Sequence, residues 1–177
     1  MNFIETALSG AYLIDLERIE DARGFFARAW SERELSNHEL ETRIAQCNLS
    51  FNKHRGTLRG MHFQRPPHAE VKLVRCIKGA LYDVIVDLRP GSQTFRRWLG
   101  VELDEQNRRM LYVPRGFAHG FQTMSDDTEV FYMISDFNVP EAAGGVRWND
   151  PGFGIEWPMV EPTEISDKDR AWADFTG

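Results

Sequence analysis

The sequence predicts an all-β fold, an antiparallel sandwich or barrel that forms a single domain over residues 1–177. Apolar runs of roughly five to eight residues recur about every ten residues and are separated by Gly, Pro, Asp and Asn turns, as in antiparallel sheets. No run alternates with a long helix, so a βαβ fold is disfavoured. Twelve Phe, five Trp and four Tyr supply rings that suit sheet packing or a ligand cavity.

The first 44 residues predict two short strands and one helix. A loosely alternating pattern indicates an entering strand over residues 11–16, and Phe25 and Phe26 begin a second strand after a turn or bulge at Gly24. Ser31 and Glu34 form an S-x-x-E capping box, which predicts a short helix over residues 32–40.

From residue 45 onward the pattern is strand, turn, strand. The run at 81–88 alternates most clearly, with Tyr82 and Val84 on one face and Asp83 and Ile85 on the other. The predicted strands cover residues 45–51, 58–64, 71–77, 81–88, 98–103, 110–113, 117–124 and 129–134.

After residue 135 the chain is rich in Gly and Pro, and loops are expected. Trp148, Trp157 and Trp172 are predicted to hold this tail against the barrel. Ser166 and Asp169 predict a second capped turn, of the S-x-x-D type.

Composition narrows the class of protein. The net charge of −6 argues against nucleic acid or an anionic membrane surface as a partner, although a few arginines in one cleft can still bind a small anion. The N-terminus lacks the features of a signal peptide, and no apolar stretch approaches the ~20 residues of a membrane span. Cys47 and Cys76 lack CxxC spacing, so we expect buried thiols and a cytoplasmic protein; a disulfide between them is the alternative.

Most of the candidate chemistry lies in residues 46–72, which contain three of the five histidines. Four residues here have side chains that can bind an anionic ligand bearing a carbonyl: Arg59, His62, Gln64 and Lys72. On a regular strand Arg59 and His62 point to opposite faces. They can share one site if Gly60 carries a bulge; otherwise they serve different sub-sites.

Each candidate also has a purely structural interpretation. His62 could be a core or surface histidine, and Lys72 a solvated lysine at a strand end. Tyr132 lies in an apolar alternating series that predicts core, and Asp169 is the third residue of a helix cap. His119 lies in GFAHGF, where the glycines permit close approach of a ligand.

A metal site is disfavoured because His62 and the next histidine, His68, are separated by two prolines and no carboxylate follows closely. The sequence also contains no Gly-rich phosphate loop, no GxSxG and no Cys nucleophile paired by motif with a histidine.

Several long motifs, in order, resemble those of the nucleotide-sugar 3,5-epimerases typified by dTDP-4-dehydrorhamnose 3,5-epimerase. The motifs are NLSFNKHRGTLRGMHFQ, KLVRCIKGALYDVIVDLR, YVPRGFAHGFQT, RWNDPGFGIEWP and ISDKD. The resemblance implies a cupin-type jelly-roll barrel with short flanking helices, no metal and no cofactor. It also implies a homodimer that exchanges strands, and a nucleotide-diphosphate sugar as substrate.

The resemblance further implies roles for individual residues. His62 would be the general base with Asp169 as its orienting partner, Lys72 would stabilise the charge on the C4 oxygen, and Tyr132 would be the acid on the other face of the ring. The sugar and the nucleotide diphosphate would be held by Arg23, Gln46, Asn48, Arg59 and His119.

Three departures from the family pattern concern substrate scope more than reaction class. Arg28 stands where many members carry glutamate, and Asn138 where many carry a second tyrosine. The loop between Asn48 and Arg59 is one residue longer than in the best-known members of the family. The alternatives are a related ketoisomerase, disfavoured because His62 and Tyr132 are both present, and a non-catalytic sugar-nucleotide binding module.

Overall fold

Two antiparallel sheets face each other in the computed structural model, which describes residues 1–177. This confirms the all-β prediction. The strands are β1 Asn2–Glu5, β2 Tyr12–Asp15, β3 Ile19–Asp21, β4 Gly24–Phe26, β5 Gln46–Asn52, β6 Thr57–Gln64, β7 Lys72–Lys78, β8 Ala80–Asp87, β9 Trp98–Asp104, β10 Met110–Val113, β11 Phe117–Thr123, β12 Thr128–Ile134, β13 Ala143–Gly145 and β14 Glu164–Ile165. The helices are α1 Glu32–Asn37 and α2 Asp167–Arg170. With six and four residues, both helices are too short to span a membrane.

The first sheet has the strand order β1-β2-β10-β7-β12-β5, and the second has β13-β6-β11-β8-β9 with β14 added parallel to β6. Strands β3 and β4 form a separate hairpin that joins neither sheet. The first sheet therefore ends at β1 on one side and at β5 on the other, and both are edge strands.

The central core lies between the two sheets. Val74, Leu111 and Val130 of the first sheet pack there with Ile85 and Phe121 of the second. The run at 81–88 behaves as its alternation predicts, because Leu81 and Ile85 enter this central core while Val84 and Val86 pack on the other face of the sheet.

The C-terminal tail covers that other face of the second sheet. Trp148 and Trp157 are buried there, and the indole Nε1 of Trp157 donates to the carbonyl of Trp148 at 2.9 Å. The predicted role of these two tryptophans is thus confirmed. Trp172 lies elsewhere, against Gly145 and beside a cavity.

Helix α1 begins as predicted and ends earlier. The Ser31 side chain accepts from the backbone N–H of Glu34, but the helix stops at Asn37 and not at residue 40. Glu39 has a φ of +57°, and the N–H groups of Glu39 and Leu40 donate back to Ser36 and Leu35. This left-handed termination satisfies the last carbonyls and turns the chain.

Two further sequence-based expectations need correction. Strands β1, β3, β13 and β14 were not predicted, because each has only two to four residues and a weak pattern. Cys76 is buried, and burial raises the pKa of its thiol to about 12. Cys47 is exposed, because it points away from the cavity side of edge strand β5. Both cysteines are free thiols.

Candidate active site

A cavity of about 380 Å³ opens between the two sheets, where β5 and β7 begin and β6 and β12 end. A smaller one of about 190 Å³ adjoins it, and the two share His62, Lys72 and Tyr132. His62 comes from the second sheet, whereas Lys72 and Tyr132 come from the first. The three residues with predicted chemical roles therefore meet in one place from opposite walls.

A bulge in β6 brings Arg59 to the same cavity as His62. His62 is paired with His119 of β11, but Arg59 is paired with Phe121, so β6 contains one extra residue across this step. The bulge includes Gly60, whose φ is +138° and whose ideal Cβ would lie 2.6 Å from the Cα of Gly120. Only glycine fits this close approach. The prediction that a bulge at Gly60 realigns the two side chains is confirmed.

His62 and Asp169 form a hydrogen-bonded pair, with Nε2 of the ring 2.6 Å from Oδ1 of the carboxylate. The carboxylate side chain is 6% exposed and the imidazole 43%. The other carboxylate oxygen, Oδ2, accepts from the backbone N–H of Gly60 at 3.2 Å. The ring nitrogen Nδ1 has no partner within the protein, so it is the nitrogen available to a ligand.

Helix α2 places Asp169 in this position. The Ser166 hydroxyl accepts from the N–H of Asp169 at 3.1 Å, which confirms the predicted cap. The same residue is thus both a cap position and the partner of His62. Burial alone would raise the pKa of Asp169, but the hydrogen bond and charge of His62 and the Gly60 N–H outweigh it, and the net pKa lies below its usual value. An ionised Asp169 favours a proton on Nε2 and leaves Nδ1 basic.

Lys72 points into the cavity at the start of β7 and its side chain is 13% exposed. Its Nζ donates to the backbone carbonyl of His62 at 3.3 Å and lies 3.2 Å from Oε1 of Glu70. Lys72 is therefore held in the cavity and is not a solvated lysine at a strand end.

Tyr132 lies at the border between the core and the cavity. Its ring packs against the central core, as its apolar series indicates, and it also lines both cavities. The prediction that Tyr132 belongs to the core is therefore confirmed, and its role as an acid stays a prediction.

A second histidine–carboxylate pair lies deeper in the smaller cavity. Nε2 of His119 lies 2.7 Å from Oδ1 of Asp83, and both residues are buried. The role of Asp83 as a partner was not predicted. Its signal is present in the sequence, because the alternation of β8 places this carboxylate on the same face as Leu81 and Ile85.

The inward face of β5 lines the cavity with polar groups. Gln46 and Asn48 line the larger cavity and Ser50 the smaller one. The side-chain amide of Gln46 donates to Asn48 at 3.2 Å and its oxygen accepts from the N–H of Asn138 at 3.4 Å. Arg59 lines the smaller cavity and donates to the Asn52 side chain at 2.7 Å. Gln46, Asn48, Arg59 and His119 are thus brought together as the resemblance implies.

Arg23 is not brought to this cavity within one chain. It lies in the β3–β4 hairpin, its side chain is 90% exposed, and its guanidinium pairs with Asp21. Arg28 also lies outside the cavity and pairs with Glu34 at 2.9 Å. Asn138, by contrast, lines the larger cavity.

Several cavity residues were not predicted to belong to the site, and three of them carry a charge or an indole ring. They are Glu70, Lys168 and Trp172. Lys168 lies over the Trp172 ring, 5.7 Å from its centroid, which places a cation beside the cavity. The positions of Lys168 and Trp172 depend on the return of the C-terminal tail to β6, which sequence spacing does not reveal. No group of three or more His, Cys, Asp or Glu is arranged to hold a metal ion.

Comparison with known proteins identifies the family. The family model for dTDP-4-dehydrorhamnose 3,5-epimerase matches residues 5–177. The enzyme of that name from Methanothermobacter thermautotrophicus is 45% identical over 172 residues, which cover 96% of this chain and 92% of the relative.

Solved structures agree as well. The dTDP-4-dehydrorhamnose 3,5-epimerase of Bacillus anthracis, with TDP and PPi bound, has a TM-score of 0.94 and 40% identity and covers 98% of this chain and 99% of that one. The dTDP-6-deoxy-D-glucose-3,5-epimerase of Legionella pneumophila, in complex with dTDP-4-keto-L-rhamnose, has a TM-score of 0.91 and 34% identity, covering 98% of this chain and 92% of that one. These matches confirm the cupin-type fold, and the chain belongs to the dTDP-4-dehydrorhamnose 3,5-epimerase family.

Proposed function

We propose that this protein epimerises a dTDP-linked 4-keto-6-deoxyhexose at C3, at C5 or at both, in deoxysugar biosynthesis. The observation that carries the proposal is the His62–Asp169 pair at 2.6 Å in a cavity whose opposite wall supplies Lys72 and Tyr132. Family membership supports the same reaction class. The binding-module alternative has no use for such an oriented base.

The proposed reaction begins with removal of a proton next to the ketone. Nδ1 of His62 takes the proton while Nε2–H donates to Asp169, and a positioned base of this kind contributes about 10²–10⁴-fold. The electron pair moves onto the C4 oxygen as an enolate, and the ammonium of Lys72 stabilises that charge. Loss of one such donor typically costs about 10²–10³-fold in kcat.

Reprotonation from the other side of the ring completes the inversion. Tyr132 stands on the wall opposite His62, so its hydroxyl can donate to the face from which no proton was removed. One proton leaves to His62 and one arrives from Tyr132, so the step is balanced without an electron carrier. Solvent then restores both side chains.

The nucleotide diphosphate is proposed to bind to the cations and amides around the mouth of the cavity. Arg59 lines the smaller cavity and Lys168 the larger one. Gln46, Asn48 and His119 are proposed to contact the sugar and the phosphates. A guanidinium can bind a phosphate through two parallel hydrogen bonds.

We propose a homodimer in which Arg23 of one subunit reaches the cavity of the other. The β3–β4 hairpin joins neither sheet, and it leaves Ile19 and Phe26 exposed. The outward side chains of edge strand β5, Leu49 and Phe51, are exposed as well. Pairing of an N-terminal strand with a partner sheet would cover one free edge. The free thiols and this substrate class fit a cytoplasmic protein.

Mixed dimers test this arrangement. Neither Arg23→Ala nor His62→Ala homodimers should turn over efficiently. After subunit exchange, one of the two sites in a mixed dimer has both intact residues, so activity should return to a substantial fraction of wild type. Absence of recovery in mixtures shown to exchange subunits, or sedimentation as a 20.5 kDa monomer at micromolar concentration, would contradict the proposal.

The reaction itself is tested by one proton NMR time course in heavy water with dTDP-4-keto-6-deoxyglucose. We expect deuterium entry next to the ketone and formation of an inverted product, and both should be abolished in His62→Ala. A dCDP- or CDP-linked analogue tests the nucleotide. Tight binding of the dTDP sugar without exchange would favour a binding module instead.

The same experiment decides the scope of inversion. Asn138 lines the cavity and presents an amide where many relatives carry a tyrosine ring, so the sugar can sit differently between His62 and Tyr132. Small displacements of a reacting group cost large factors in rate. We propose that C3 is inverted efficiently and C5 less so. Equal, fast deuterium entry at both carbons would refute the restricted scope.

A further inference from the structure

Glu70 is a buried acidic residue in the wall of the cavity. Its side chain is 6% exposed, and it lines the larger cavity together with Lys72 and Tyr132. It precedes Lys72 by two positions and lies just before β7. A buried carboxylate in this place requires a physical reason, since removing a carboxylate from water costs several kcal/mol.

The polar contacts of Glu70 show what the carboxylate serves. Oε1 lies 3.2 Å from Nζ of Lys72. Oε2 is buried and has no partner within the protein. No backbone group, cap or second cation binds this side chain, in contrast to Asp87, which is held by Arg89, Ser92 and Thr94. Lys72 is therefore the one protein group that Glu70 contacts by a polar interaction.

The donors of Lys72 can be counted in the same way. An ammonium group has three N–H donors. One donates to the carbonyl of His62 at 3.3 Å, and Oε1 of Glu70 lies 3.2 Å from Nζ as its ion-pair partner. The carbonyl on β6 and the carboxylate just before β7 restrict the direction of Nζ, and a donor remains for the cavity. The carbonyl of His62 also ties this direction to the residue that carries the base.

We propose that Glu70 is the positioning residue of Lys72, which holds the ammonium where the C4 oxygen of the substrate becomes an enolate. The inference rests on the role proposed for Lys72 above. The negative charge of Glu70 does not itself favour an enolate. Its contribution is therefore the geometry that its oxygen imposes, and a neutral side chain with an oxygen in the same place should suffice.

Three single variants separate geometry from charge. Glu70→Ala removes the acceptor and should lower kcat for deuterium exchange about 10- to 100-fold, the cost of a misplaced catalytic group, with KM changed less than about 3-fold. Glu70→Gln keeps an oxygen at the same distance and should stay within about 5-fold of wild type. Asp87→Asn is the control for a buried carboxylate outside the cavity; it should leave kcat unchanged even if the Tm falls.

A double-mutant cycle with Lys72→Met identifies the partner. Lys72→Met alone should lower kcat by about 10²–10³-fold, and adding Glu70→Ala should then cost less than about 2-fold. The positioning role is wrong if Glu70→Ala keeps the wild-type kcat. It is also wrong if Glu70→Ala lowers kcat by the same factor in the Lys72→Met background as in the wild type, or if Glu70→Gln lowers kcat as much as Glu70→Ala does. If Lys72→Met itself keeps the wild-type kcat, the role proposed for Lys72 fails first. Deuterium exchange with every variant is measured on protein whose Tm shows that it is folded.

Discussion

Replacement of Asp169 by asparagine should inactivate His62 through the position of a single proton. In the native pair, Oδ1 of Asp169 faces Nε2 of His62 at 2.6 Å and Oδ2 faces the N–H of Gly60 at 3.2 Å. An asparagine has one oxygen and one NH₂ group for these two places. If the NH₂ group faced Gly60, two donors would oppose each other in a buried position. The oxygen therefore goes to Gly60 and the NH₂ group to His62.

This orientation forces the wrong tautomer on the imidazole. Nε2 must now accept, so the proton of the neutral ring moves to Nδ1, the nitrogen assigned to abstract the substrate proton. If the amide oxygen faced Nε2–H instead, the buried hydrogen bond from the N–H of Gly60 would be lost, which costs about 1–3 kcal/mol. The productive tautomer would therefore be about 5- to 150-fold less populated than the one protonated on Nδ1. Asparagine also lacks the negative charge that stabilises the imidazolium, and this loss raises the activation free energy by a similar amount. We expect kcat to fall by about 10²–10⁴-fold.

Asp169→Ala is the informative partner of Asp169→Asn. Alanine removes the carboxylate but imposes neither tautomer, so it should retain more activity than asparagine although it is less similar in shape. The assay is the initial rate of deuterium entry next to the ketone at neutral pH. Thermal unfolding of both variants controls for the fold. An Asp169→Asn protein as active as Asp169→Ala, or more so, would refute the reasoning about Gly60.

Three further predictions concern the acid, the metal and a structural carboxylate. Tyr132→Phe should slow completed inversion more than deuterium exchange, because it removes the donor and leaves the base; equal losses in the two NMR rates would contradict this. Activity should survive exhaustive chelation, since no cluster of ligand residues is present, and its restoration by one divalent ion would show the opposite. Burial alone would raise the pKa of Asp87, but hydrogen bonds from Arg89, Ser92 and Thr94 lower it from 3.8 to about 2. Asp87 therefore stabilises the fold above pH 3.8, and this stabilisation is lost as the pH falls toward 2. Urea unfolding should show a larger deficit for Asp87→Asn at pH 7 than at pH 3, and an equal deficit would be inconsistent with the shift.

Sequence pattern alone predicted the parts of this fold that depend on short-range order. The long strands from β5 to β12 follow from alternation and turn residues, and their observed ends differ from the predicted ones by at most one residue. The start of α1 follows from Ser31 and Glu34. Its end did not, because Glu39 adopts a left-handed conformation that is uncommon for a non-glycine residue.

The site depended on information of longer range. A histidine at 62 and a carboxylate at 169 are 107 positions apart, and no local pattern pairs them. The resemblance supplied that pair and most of the proposed binding residues, because it carries over positions that act together in the family. It did not single out Glu70 or Asp83, whose roles rest on one contact each, with Lys72 and His119.

The alternation of β5 links the cavity to the proposed subunit interface. Gln46, Asn48 and Ser50 face the cavity, so the polar side of this edge strand is the inner one. Leu49 and Phe51 are exposed on its outer side, which reverses the usual arrangement of a sheet with one wet face. A partner that covers this outer face would also hold the inner face in place, because the side chains of both faces are attached to the same strand backbone. Binding of the sugar nucleotide and association of subunits would then depend on the same seven residues.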